Sequence, residues 1–137
     1  MNPLRFIIYF VSDLVLSYVF VLFFTFAAVT IGLASLALVG LLFTILFTLL
    51  FGWLYFRTVP DMSWRHRGEA ILVWVGLVVL TDIIVLKLFY GGSISNMGSL
   101  ELTGYALQGL TLFVAAYLAG HEHPRLASSP DLLIHEE

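Results

Sequence analysis

Hydrophobic side chains run almost unbroken through most of this chain. Between Phe6 and Phe56 the only charged residue is Asp13. Two further apolar stretches follow, at about Ala70–Tyr90 and Leu102–Ala119. A bilayer core needs about 20 apolar residues of helix to cross it. One helix over Phe6–Phe56 would be about 75 Å long at about 1.5 Å per residue, more than twice that thickness. The segment must therefore fold back, and Ala28–Ser35, where Thr30, Gly32 and Ser35 cluster, is the expected place.

The pattern predicts an all-α membrane protein, a four-transmembrane-helix bundle over residues 1–120. The spans fall at about 4–29, 34–56, 69–90 and 101–120, and a polar tail covers 121–137. Pro60 blocks continuation of the second helix. Asp61 or Ser63 can cap the third by accepting bonds from free backbone N–H groups. Gly91, Gly92 and Ser93 end that helix, and residues 91–100 read as a short loop.

Helical spacing sorts the few polar and small residues into stripes. Span one has Tyr9, Asp13 and Ser17; span two has Gly40, Thr44, Thr48 and Gly52. Span four has Gly104, Gln108, Thr111, Ala115 and Ala119, while span three shows mainly Gly76 and Asp82. Positions three and four apart share a helix face. In lipid, small residues and interhelical hydrogen bonds hold helices together. These faces are expected to point inward.

Rise per residue sets the depth of each polar group. Asp13 lies about 12 Å along its helix from Arg5. Thr48 is at nearly the same depth, counted from Arg57, and is its expected partner. The same count brings Asp82 level with Gln108 and Lys87 level with the turn that holds Glu101. The two aspartates come out in different leaflets, which argues against a shared catalytic dyad.

Charge adds an orientation. Arg5, Arg57, Arg65, Arg67 and Arg125 fall on one side of the four-span arrangement, and Lys87 lies toward the other. The positive-inside rule then puts both termini in the cytoplasm. Trp53, Tyr55 and Trp64 flank that boundary as belt aromatics do. Arg57, Trp64, Arg65 and Arg67 are expected at the lipid headgroups.

Composition removes several function classes. The chain has 137 residues, 61% hydrophobic and 11% charged, with a net charge of −3. Nucleic-acid binding needs dense basic clusters, which are missing. With no cysteine, thiol catalysis and thiolate metal sites are excluded. His121-Glu122-His123 is a weak metal candidate, since i and i+2 do not face together on a helix. All four histidines lie outside the spans, so no haem or other cofactor is expected. No nucleophile has a base beside it.

Buried carboxylates inside a membrane are costly and often functional. The expectation is a non-catalytic accessory or scaffold subunit of a membrane complex. The alternative is a small homo-oligomeric transporter or channel with a proton- or cation-linked site at Asp13 or Asp82. Partners are the bilayer and either further copies or other membrane subunits. The expected location is a prokaryotic inner (plasma) membrane.

Overall fold

The structure, a computed structural model, describes residues 3–33, 35–90 and 99–121. The fold is all-helical: α1 Pro3–Ile31, α2 Ser35–Arg57, α3 Trp64–Tyr90 and α4 Ser99–His121. All four helices are long and apolar enough to cross a bilayer. The chain is a membrane-embedded protein. Helix α3 starts at Trp64, before the apolar stretch, so its first turn is polar. The 91–98 segment and the 122–137 tail, with Arg125, lie outside the described residues.

The reversal between α1 and α2 falls at Gly32, whose φ is +74°. That left-handed conformation suits glycine, which lacks a Cβ. The Leu33 N–H bonds back to the Ala28 carbonyl at 3.1 Å. This six-residue closure is a Schellman ending, and it satisfies a carbonyl that the helix leaves free. At the other turn, the Ser63 hydroxyl accepts the His66 N–H at 3.5 Å and so caps α3.

Helix α2 packs closely between α1 and α4, and α3 lies against α4. Two glycines set the spacing. A Cβ on Gly40 would sit 3.3 Å from the Val21 Cα of α1. One on Gly52 would sit 2.8 Å from Leu112 Cδ2 and 3.3 Å from Ala115 Cβ of α4. Small residues let membrane helices approach this closely, where dispersion contacts are densest.

Helices α1 and α3 meet instead through large rings. Phe6 and Phe10 pack edge-on against Trp74, with centroids 5.4 and 5.7 Å away. Tyr55 of α2 joins them, 5.5 Å from Phe6. The cluster lies at the end of the bundle where Arg5 donates to the Thr58 carbonyl at 3.1 Å. Tyr55 is fully buried. It belongs to the core and not to an interfacial belt, because Phe6, Phe56 and Trp74 close over it.

The packing is uneven along the bundle. Among the described side chains, the buried residues of α3 end at Trp74 and those of α4 begin at Thr111. Both positions belong to the arginine-bearing half. Nearer the Gly32 turn α1 and α2 stay in contact at Val21 and Gly40, and the four helices border a cavity.

Candidate functional site

Two carboxylates hold the bundle interior together, and each ties three helices. Asp13 is 2% exposed. Its Oδ2 accepts the indole N–H of Trp74 from α3 at 3.2 Å. The Thr48 hydroxyl of α2 reaches both carboxylate oxygens, at 3.3 and 3.2 Å. The Ser17 hydroxyl, one turn along α1, donates to Oδ1 at 3.3 Å. Three donors surround one buried acceptor. A carboxylate away from water needs such partners, since an unpaired one is strongly disfavoured.

The Asp13–Thr48 pair follows from their equal depth. Trp74 is a partner that depth alone did not single out. Its signal was available: a tryptophan deep in a span carries an N–H that must find an acceptor.

Asp82 is held from two other directions. The Tyr18 hydroxyl of α1 donates to Oδ1. The Tyr105 hydroxyl of α4 donates to Oδ2 at 2.8 Å. Gln108, expected beside Asp82, lines the same cavity, but the hydrogen bond from α4 comes from Tyr105 one turn earlier. Helical depth fixes height and leaves direction around the axis open. A long tyrosine can therefore reach where a level neighbour does not.

The cavity has a volume of about 480 Å³ and is partly open to the outside of the bundle. All four helices line it. Asp13, Thr48, Tyr18, Asp82, Tyr105 and Gln108 supply its polar edge. The two aspartates therefore share one cavity, although the depth count separates them. Their surroundings differ: Asp13 is buried in its donors, whereas Asp82 is half-buried at the wall.

Three other threonine hydroxyls within the spans do not cross between helices. Thr44, Thr81 and Thr111 bond the carbonyls of Gly40, Leu77 and Leu107, four residues back on their own helices. Such back-bonding hides a polar group from lipid without a partner helix. Gly76 and Gly104 are exposed at their positions rather than packed.

Arg67 departs from its expected place at the headgroups. It is 5% exposed. Its guanidinium donates to the Ala116 carbonyl of α4, to Met62 at 3.1 Å and to Pro60 at 3.3 Å. Ala116 lies near the C-terminal end of α4, where the helix dipole favours a cation. The fork of Arg donors spans two carbonyls of the turn and one in the last two turns of α4. Arg67 thus clamps the α2–α3 turn to α4. Trp64 and Arg65 are exposed, and Arg57 stacks over Trp53 with its Cζ 4.9 Å from the ring. Arg65 pairs with Glu69 at 3.3 Å on the surface.

The Lys87–Glu101 approach falls on a side chain, Glu101, outside those described. So do His121, as a side chain, and His123. Among the described residues no three His, Cys, Asp or Glu converge as a metal site would require.

No family model matches the chain, and neither curated proteins nor solved structures give a match. The functional reading rests on the residues themselves.

Proposed function

We propose that this is a small non-catalytic integral membrane protein that binds a solute at Asp82 and acts as a homo-oligomeric transporter or channel. The contrast between its two aspartates carries this reading. Asp13 has three donors and almost no exposure, the condition of a packing group. Asp82 sits half-buried on the wall of a cavity of about 480 Å³ that is partly open. Ligand sites are typically apolar cavities with a few polar groups converging on them. Four helices rarely enclose a pathway alone, so a second copy is the natural way to complete the wall.

Orientation belongs to the same proposal. Arg5, Arg57, Arg65 and Arg67 lie at one end of the bundle. By the positive-inside rule, that end and both termini face the cytoplasm. The membrane of this reading is a prokaryotic inner membrane.

The test is flux of protons and of monovalent cations, quaternary ammonium ions included, into liposomes carrying the purified protein. Wild type is expected to conduct, and Asp82→Asn to lose flux while still inserting and assembling. Unchanged flux in a well-assembled Asp82→Asn protein, or none in wild type, would refute the proposal.

One observation favours a second reading, that of an accessory or scaffold subunit. Leu22, Phe23, Phe26 and Val29 form an exposed apolar band on α1, with Phe26 73% exposed. Lipid covers such a band, and so does another membrane protein. Mass determination after gentle detergent extraction separates the readings. A homo-oligomer supports the first, and a partner of different sequence the second.

A further inference from the structure

Resting on the reading of Asp82 as a binding group, we propose that the cavity receives a lipophilic organic cation: a single ammonium or phosphonium centre on an apolar or aromatic body. The lining selects this class. Leu14, Val21, Leu41, Ile45, Val78 and Leu107 give the cavity mainly apolar walls. Such walls reward the burial of hydrocarbon, which makes up most of such a ligand.

The polar edge selects the sign of charge. Asp82 accepts one tyrosyl hydroxyl on each oxygen and keeps lone pairs free for a third partner. Among the described residues, no Lys, Arg or His lies within ion-pair distance of it. Lys87 projects from another face of α3 and is exposed. Tyr18 and Tyr105, whose hydroxyls meet the carboxylate, both line the cavity, and aromatic faces attract cations. An anion would meet a carboxylate with no cation beside it.

A bare metal ion fits less well. Calcium or magnesium needs six or more oxygens to replace its water. Here the two nearest hydroxyls already donate to Asp82. A quaternary ammonium or phosphonium has its charge spread over carbon and a weakly held hydration shell. It enters an apolar cavity at lower cost and needs one counter-charge. The volume of about 480 Å³ falls within the range of small-molecule sites.

The experiment is equilibrium dialysis of the full-length protein in detergent with radiolabelled tetraphenylphosphonium. Tetraphenylborate, of the same shape and opposite charge, is dialysed in separate cells as the control, so that the two ions never pair. Saturable binding is expected, with Asp82→Asn weakening it at least about tenfold, as loss of a buried charge partner does. Tetraphenylborate on its own should bind at least about tenfold more weakly. Gly104→Leu supplies a second variant that keeps Asp82. Gly104 lines the cavity, and a Cβ there meets nothing within 4 Å, so the added side chain has room to occupy ligand space. It should weaken binding at least as much while the thermal midpoint holds, and it carries the test if Asp82→Asn does not fold. Equally tight binding of tetraphenylborate, binding indifferent to the variants, or no saturable binding of the phosphonium would overturn the inference. Flux in liposomes keeps the two proposals apart. Charge-selective binding without flux leaves the ligand class standing and removes transport. Cation or proton flux sensitive to Asp82→Asn, without probe binding, does the reverse.

Discussion

The indole N–H of Trp74 on α3 donates to the carboxylate of Asp13 on α1, 3.2 Å away. Where these two helices meet, their rings and this polar bond replace the close backbone packing seen between α1 and α2. Asp13 should therefore be a stability residue. Asp13→Leu leaves one N–H and two hydroxyls without their acceptor and is expected to cost about 2–4 kcal/mol. Asp13→Asn keeps one acceptor and adds donors for the Thr48 and Ser17 oxygens, so about 1 kcal/mol is expected. Unfolding by denaturing detergent in bicelles reads both, and equal stability of all three proteins would contradict the network.

Arg67 and Arg65 lie two residues apart and should behave in opposite ways. Arg67→Lys cannot reach three carbonyls at once, and about 2 kcal/mol of stability should be lost. Arg65→Ala should be silent, because its side chain is 87% exposed and surface pairs contribute little. Comparing thermal midpoints of the two variants is sufficient. A larger effect at Arg65 would remove the clamp from the account.

Gly52 marks a close approach between α2 and α4. A branched side chain there meets Leu112 and Ala115 at once. Gly52→Ile is expected to cost about 1–3 kcal/mol through overpacking. Gly76→Ala, where an added Cβ meets nothing within 4 Å, should have no destabilising effect. The pair distinguishes helix contact from a general response to glycine replacement.

Tyr55 carries a buried hydroxyl that is without a hydrogen-bond partner among the described residues. Its ring packs against Phe6, Tyr9, Phe56 and Trp74. Removing the oxygen relieves an unmet polar group and keeps the ring. Tyr55→Phe is expected to leave stability unchanged or raise it by about 1 kcal/mol. A clear loss would mean that the hydroxyl has an acceptor after all.

Gly32 supports the α1–α2 reversal with φ at +74° and open space around it. Gly32→Ala has no clash, only the strain of a left-handed backbone. A loss of about 1 kcal/mol is expected, with the helical content of the protein unchanged by circular dichroism.

Much of the candidate site was legible along the chain, in one dimension. Counting residues from the arginines brought Asp13 to the level of Thr48, and the two are bonded. The same count brought Asp82 to Gln108, and the bonded partners are Tyr18 and Tyr105 instead. Both tyrosines are polar groups inside spans and could have been flagged by that alone. Their targets depend on the rotation of each helix about its own axis. A hydrophobic period does not encode that angle when every face is apolar, as in these helices.

The chain alone determined four long apolar helices, their turns near Gly32 and Pro60, and the positions of the rare charges, because hydropathy and backbone preference act over a few residues. Only the tertiary structure decided that Arg67 turns inward, that Tyr55 is core and that both aspartates border one cavity. Those outcomes depend on contacts between residues far apart in sequence. Such contacts form only where small residues such as Gly52 let two helices close, and where the rings of Phe6, Phe10 and Trp74 fill the space between two others.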